Sequence, residues 1–193
     1  MADTTTQANA DAAEDAAELT DAQLVDNLML LFADGVENVD RAIGAAAYTL
    51  LTHREALDRV RARPDLLPGA VDECLRFESP GQYIGRITRE EVTYAGVTIP
   101  KNAMLLLVLG SANRDPDRFP DADRFDIDRT PNPHLAFGRG RHSCIGGPLV
   151  EMETRIALDV LLRRFPGMEL VPKRAAWIPR PGHRWIERVD VRV

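Results

Sequence analysis

The sequence is poor in cysteine and has no long apolar run, and each absence excludes a class of protein. Cys74 and Cys144 are the only two cysteines among 193 residues, too few for a disulfide framework, so we expect a reducing, cytoplasmic setting. An apolar run at 104–109 is far shorter than the roughly 20 residues that a membrane-spanning helix needs. The start of the chain lacks a basic segment followed by an apolar one, so no secretory signal is expected.

Positive charge is also in short supply. The chain has 24 basic against 30 acidic residues, a formal charge of −6, which argues against nucleic acid as a partner. Residues 1–19 contain several acids, no Lys or Arg and little that could be buried. We therefore expect a disordered acidic tail at 1–19, followed by one globular domain at 20–193.

One segment concentrates chemically informative residues. Positions 137–146 read Phe-Gly-Arg-Gly-Arg-His-Ser-Cys-Ile-Gly, and Gly138 and Gly140 permit a backbone too tight for larger residues. Apolar residues at helical spacing then predict a helix to Arg164, so that Cys144 precedes a helix N-terminus, where a thiolate is favoured. That helix has one apolar face, formed by Leu149, Met152, Ile156, Ala157, Val160 and Leu161. A lone thiolate with glycine clearance suits an axial haem ligand.

At these residues the chain resembles the cytochrome P450 family, whose bacterial haem-ligand signature runs Phe-Gly-x-Gly-x-His-x-Cys-x-Gly. The matching positions are Phe137, Gly138, Gly140, His142, Cys144 and Gly146. A zinc site is the alternative, because His142 and Cys144 could supply two ligands. Zinc usually takes four protein ligands, or three and a water, and the remaining cysteine and histidines form no recognisable second pair.

The resemblance covers about residues 20–193. It implies a mainly α fold with small antiparallel β-sheets, namely the P450-like fold from its long central helix onward. The N-terminal helices of the family, and with them much of its substrate roof, have no counterpart in that range.

The first predicted helix begins at a capping box, Thr20-Asp21-Ala22-Gln23, and its apolar spacing continues to about His53. Its middle, Asp-Gly-Val-Glu-Asn at 34–38, is polar and contains a glycine. From the residues alone this is a solvated face with a tolerated glycine. In the P450 family a central helix with the pattern Ala/Gly-Gly-x-acid-Thr crosses the distal face of the haem at this point.

The resemblance therefore implies catalytic roles for four residues of this helix. Gly35 would make room for bound oxygen, and Glu37 would pass protons towards it. Asp34 would add a second carboxylate near the iron. Asn38 departs from the family's Thr, and its amide can donate a hydrogen bond but cannot relay a proton as a hydroxyl does.

A second motif, Glu73-x-x-Arg76, lies on a helix predicted from Gly69 to Phe77, with Pro68 at its start. The two charges share a helix face, and alone they indicate a surface pair worth less than about 1 kcal/mol. The resemblance implies instead a buried pair that an arginine from a later loop joins. Arg124 is the best match for that arginine, and Arg129 is the alternative.

Further site residues follow from the same resemblance. Arg86, on a short strand predicted at 83–87, would pair with a haem propionate, and His142 would serve another propionate oxygen. The substrate side would be lined by Tyr83, Ile84, Gly85 and Trp185.

The remaining patterns predict a hairpin at 92–99, a buried strand at 104–109 and a long loop rich in Pro and Asp at 111–133. Short strands are expected at 168–171, 177–178 and 189–193.

By resemblance, the chain is a haem-thiolate monooxygenase that carries haem b and inserts one atom of O2 into a small organic substrate. A ferredoxin-type donor would supply electrons. The basic residues expected near the cysteine, where such an acidic donor would dock, are Arg139, Arg141, Arg163 and Arg164. The alternative is a truncated, non-catalytic haem-binding fragment, or one that a missing N-terminal half completes.

Overall fold

The computed structural model describes residues 18–193, so the predicted tail lies almost wholly outside the described residues. The chain divides into two compact units, Met1–Val36 and Glu37–Val193. Helix α1, Asp21–Thr52, begins in the first unit and ends in the second. None of the helices within 18–193 is long and apolar enough to span a membrane.

In the first unit, the predicted capping box starts α1. The main-chain N–H of Gln23 donates to Thr20 Oγ1 at 3.3 Å, and the main-chain N–H of Thr20 donates to Gln23 Oε1 at 3.0 Å. This reciprocal pair satisfies two amides that a helix start leaves without partners. The apolar residues that follow are exposed, Phe32 to 75%.

The second unit is mainly helical. After α1 come α2 (Arg54–Ala62), a 3₁₀ turn (Pro64–Leu66), α3 (Leu67–Phe77), α4 (Leu109–Ala112), a second 3₁₀ turn (Gly140–His142) and α5 (Gly147–Arg164). The apolar core draws on α1, α2, α3 and α5, with Leu50, Leu57, Leu75 and Leu158 almost fully buried.

Three two-stranded antiparallel ribbons complete this unit. They pair β1 (Ile84–Ile87) with β4 (Met104–Leu107), β2 (Val92–Tyr94) with β3 (Val97–Ile99), and β5 (Glu169–Trp177) with β6 (Ile186–Arg192). The hairpin predicted at 92–99 is formed by β2 and β3, and its turn residues Ala95 and Gly96 both have positive φ. The last ribbon is longer than the predicted short strands, and its pairing register shifts between Leu170 and Ala175 and again between Ala176 and Trp177.

Two expectations about apolar segments need correction. The strand predicted at 104–109 ends at Leu107, and its side chains are largely exposed rather than buried, with Met104 at 76% and Leu106 at 57%, because β4 pairs only with β1 in a two-stranded ribbon. Leu109, which is buried, belongs to α4. The apolar face of α5 formed by Leu149, Met152, Ile156 and Val160 is also exposed. Helix α5 packs inward through a different stripe, Thr154, Leu158 and Leu162, at the i, i+4, i+8 spacing of one helix face.

Candidate active site

The segment that carries Cys144 is a tightly folded loop. Gly138 and Gly140 have φ values of +67° and +84°, a region that favours glycine. The Cys144 amide donates to the Phe137 carbonyl at 2.8 Å, which closes the loop. Just beyond, a Cβ at Gly147 would lie 3.3 Å from the Phe137 ring, so the glycine allows α5 to start against the aromatic ring.

The Cys144 thiol is free and exposed, and the neighbouring Ile145 is 86% exposed. Among the described residues, the one cluster of three potential metal-ligating side chains does not include Cys144 or His142. This arrangement does not favour the zinc alternative, since a zinc site needs at least three protein ligands. An accessible lone sulfur behind a glycine-rich loop fits the axial ligand of a planar cofactor.

Behind the loop, α3 contains the ion pair expected from the Glu-x-x-Arg motif. Arg76 Nε lies 2.7 Å from Glu73 Oε2 and Arg76 Nη2 lies 2.8 Å from Glu73 Oε1, a bidentate contact. Both side chains are fully buried. Arg76 Nη1 also donates to the carbonyls of Asn113 at 2.7 Å and Ala122 at 2.9 Å. Buried charge is tolerated here because each polar atom has a partner.

The third member of this network, after Glu73 and Arg76, is Arg129, and the assignment of Arg124 is wrong. Arg129 Nε lies 3.4 Å from Glu73, and its side chain is 9% exposed. Arg124 is exposed and contributes only its carbonyl oxygen, which accepts from Arg76 at 3.2 Å and from Arg129 at 3.3 Å. The Arg124 carbonyl points towards Arg76 on α3, whereas the Arg124 side chain is turned to solvent.

Sequence reasoning missed several other partners in this network. The Asp126 amide donates to Glu73 Oε1 at 2.9 Å, and Asn132 Nδ2 donates to Glu73 Oε2 at 3.3 Å. Buried Asn113 donates to Ser79 Oγ at 2.6 Å and accepts from the Leu135 amide at 2.7 Å. The one available signal was the polar composition of the loop at 111–133. The network connects α3 to the segment that leads into the cysteine loop.

Arg86 does not reach the cysteine loop in this structure. Its guanidinium is exposed and donates to the Gly85 carbonyl at 2.8 Å. It borders an open cavity of about 690 Å³, together with Arg89 and Lys101, and this cavity is not lined by Cys144 or His142.

Among the four predicted substrate-lining residues, Tyr83 and Gly85 are exposed, and Ile84 is half-buried. Trp185 is only 2% exposed, so its assignment to the substrate side needs correction. Its ring lies 4.3 Å from the Arg180 guanidinium and 4.5 Å from the His183 ring, which makes it a packing residue.

Helix α1 continues unbroken through 34–38, so the glycine there does not end it. In the first unit, a Cβ added at Gly35 would meet no described atom within 4 Å, and Asp34 is exposed. In the second unit, Asn38 is half-buried. The catalytic roles of Asp34, Gly35, Glu37 and Asn38 stay predictions.

The four arginines expected near the cysteine fall into two groups. Arg139 and Arg141 are exposed within the cysteine loop. Arg163 and Arg164 end α5, roughly 25 Å along the helix axis from its first residue, and Arg163 pairs with Asp159 at 2.6 Å. The expectation of a single cluster is wrong because α5 carries the second pair away.

A helical core with small antiparallel ribbons and an exposed, loop-borne cysteine define a haem-thiolate type of scaffold. The sequence model of the cytochrome P450 family matches residues 1–179. The chain belongs to the cytochrome P450 family, whose members bind haem.

Relatives in that family include the biotin biosynthesis cytochrome P450 of Bacillus subtilis (strain 168), which is 41% identical over 174 residues. That alignment covers 90% of this chain and 44% of the relative. Cytochrome P450 monooxygenase PikC of Streptomyces venezuelae is 40% identical, with coverages of 93% and 44%. The chain therefore spans less than half the length of these relatives.

Solved structures give the same result. The crystal structure of P450BioI in complex with an acyl carrier protein ligated to hexadec-9Z-enoic acid has a TM-score of 0.86 and 41% identity. It matches 90% of this chain and 45% of its own. HmtN, a hydroxylase of himastatin biosynthesis, has a TM-score of 0.88 and 38% identity, with coverages of 92% and 48%. The predicted P450-like fold is confirmed.

Proposed function

We propose that this chain is the haem-binding part of a monooxygenase that inserts one atom of O2 into a small organic substrate. The observation that carries the proposal is the exposed, unshared thiol of Cys144 in a loop of the P450 type. Relatives named as a monooxygenase and as a hydroxylase/epoxidase support the reaction class.

Haem b, held through the Cys144 thiolate, would supply the oxygen-activating chemistry. His142 and Arg86 would hold its propionate groups by charge-assisted hydrogen bonds. The Arg86 guanidinium, now bonded to the Gly85 carbonyl, must turn away from the main chain to do so.

On the distal side, Gly35 would leave space above the helix, and the Glu37 carboxyl would deliver protons, with Asp34 as a second acid. The Asn38 amide would orient a water by donating a hydrogen bond, and it cannot itself pass on a proton. Tyr83, Ile84 and Gly85 would contact the substrate.

Electrons would come from a ferredoxin-type donor in the cytoplasm, and Arg139 and Arg141 are the exposed cations beside the cysteine that suit an acidic partner. The carrier-linked fatty acid in the P450BioI structure makes acyl chains one substrate class to test.

A second candidate function is a haem-binding fragment that turns over only when a polypeptide equivalent to the remaining half of its relatives completes it. The exposed apolar side chains of α5 and β4, among them Ile156 at 52% and Met104 at 76%, favour this candidate. Apolar surface of this kind usually marks an interface.

Haem loading tests the shared part of both proposals. The full chain is mixed with haem, reduced and exposed to carbon monoxide. We expect a strongly red-shifted Soret band that is lost in Cys144→Ala and kept in Cys74→Ala, the other cysteine. A band unaffected by Cys144→Ala would reject thiolate ligation at this loop.

Turnover then separates the two candidates. The loaded chain is given a ferredoxin system, O2 and acyl substrates, with and without the N-terminal half of a relative as a separate polypeptide. Oxygenated product from the chain alone supports the complete enzyme. Product only with the added polypeptide supports the second candidate.

A further inference from the structure

A second group of ligating side chains converges where α3, α5 and the segment before the cysteine loop meet. Asp72, His134 and Glu151 place one potential ligand atom each within 4.8 Å of the others. His134 Nε2 lies 3.1 Å from Asp72 Oδ1. Asp72 and His134 are 62 positions apart in the chain, so only the fold brings them together.

The imidazole is held in place and the carboxylates adjoin free space. The His134 side chain is 7% exposed, whereas that of Asp72 is 40% exposed. Asp72 and Glu151 both line a cavity of about 240 Å³. This volume exceeds that of an ion with a few waters, which each occupy about 30 Å³.

Among the described residues, the carboxylates of Asp72 and Glu151 have no lysine or arginine as an ion-pair partner, although Arg155 lines the same cavity. Two carboxylates that face each other at a cavity wall without such a partner form a site that a bound cation would stabilise.

We propose that Asp72, His134 and Glu151 bind a divalent transition-metal ion, with Zn²⁺ as the best match. Zinc binds imidazole nitrogen and carboxylate oxygen at about 2.0–2.2 Å, and a water can take the fourth position beside three protein ligands. Adjacent ligands of a tetrahedral ion then lie roughly 3.4 Å apart, close to the 3.1 Å between His134 and Asp72. The Glu151 carboxylate lies within 4.8 Å of both of these ligand atoms.

The hydrogen bonds of His134 determine which ions can bind. The Ala136 amide donates to His134 Nδ1 at 3.3 Å, so the imidazole proton lies on Nε2, where it is donated to Asp72. A metal at Nε2 must displace that proton to Nδ1, at the expense of the Ala136 contact. Strong Lewis acids that favour imidazole, such as Zn²⁺ and Co²⁺, are therefore expected to bind, and Mg²⁺ and Ca²⁺ are not.

Cobalt titration of the full, chelator-treated chain tests the site, since Co²⁺ absorbs visibly and Zn²⁺ displaces it. We expect one equivalent of Co²⁺ in a four- or five-coordinate environment without thiolate charge-transfer absorption. Loss of an outer-shell partner already weakens metal sites by 10–100-fold, so Glu151→Gln and Asp72→Asn should each weaken binding by at least about tenfold. Glu153→Gln, on the same helix, is the matched control and should bind as wild type.

Three results would overturn the proposal. One is the absence of stoichiometric Co²⁺ or Zn²⁺ binding. Another is equal affinity in wild type and Glu151→Gln, which would indicate adventitious surface binding. The third is loss of binding in Cys144→Ala with thiolate absorption in wild type, which would move the ion to the cysteine loop. Circular dichroism tests whether each variant is folded. If Asp72→Asn does not fold, the binding result of Glu151→Gln alone decides the outcome.

Discussion

Helix α3 and the cysteine loop are joined through the segment at 132–135, but they differ in how many of their polar side chains are buried and hydrogen-bonded within the chain. In α3, Glu73 and Arg76 are fully buried, and carbonyls and amides from the loop at 113–132 complete their hydrogen bonds. In the cysteine loop, Cys144, His142 and Arg141 are exposed. The polar groups of the scaffold are therefore satisfied within the chain, whereas the Cys144 thiol is accessible to solvent.

The difference predicts separate consequences for the same kind of change in the two regions. Truncation in the α3 network removes partners from buried charge and should affect folding. Truncation in the cysteine loop removes groups that contact solvent and should affect ligand binding alone.

The largest expected effect comes from Glu73→Ala. It leaves the Arg76 guanidinium buried without its carboxylate, so we expect the free energy of unfolding to fall by about 3–5 kcal/mol. Denaturant titration measures the change, and Arg124→Ala, which removes only an exposed side chain, should stay within about 0.5 kcal/mol. Similar losses in both variants would mean that the Glu73 network is not the scaffold.

Next in size is a pair of truncations on α5. Leu158→Ala should cost about 2–5 kcal/mol because Leu158 is 1% exposed, and Ile156→Ala, at 52% exposed, about 0.5 kcal/mol or less. Thermal and chemical unfolding of the two variants compare the buried and exposed stripes directly. A larger loss for Ile156→Ala would reverse the assignment of the packing face.

A pH titration of stability distinguishes the two cysteines. Burial raises the pKa of the Cys74 thiol in the folded chain, whereas a cysteine thiol in the unfolded chain has a pKa of about 8.5. The unfolded chain therefore loses this proton first as pH rises, and stability falls above pH 8.5 by up to about 1.4 kcal/mol per pH unit. Unfolding measured from pH 8 to 10 should show this slope in wild type and Cys144→Ala, and a smaller one in Cys74→Ala.

The smallest effect on stability is expected for Cys144→Ala, within about 0.5 kcal/mol, because the side chain is exposed. A thiol reagent should modify one cysteine per native molecule, and none in Cys144→Ala. Two rapid equivalents in the native wild type would contradict the sealed position of Cys74.

Local signals predicted much of the fold. The capping box at Thr20, the turn at Ala95 and Gly96, and the glycines of the cysteine loop act over a few residues, and each has its structural counterpart. The irregular loop expected at 111–133 is also present. Apart from the end of α4 at Ala112, it contains no helix or strand.

The errors concern choices that tertiary packing makes. Arg124 and Arg129 lie in the same irregular loop, where no periodicity indicates which side chain turns inward. Helix α5 has two candidate stripes, and the more apolar one is exposed. Asp72, His134 and Glu151 give no sequence signal, because their proximity depends on the path of the loop before the cysteine.

The unequal accessibility of the two sulfurs also limits how oxidants can link the molecules covalently. With Cys74 sealed in the core and Cys144 at the surface, each folded molecule has a single point of attachment. Air oxidation can therefore produce dimers but no longer chains, and a cofactor seated on the exposed sulfur would prevent even that coupling.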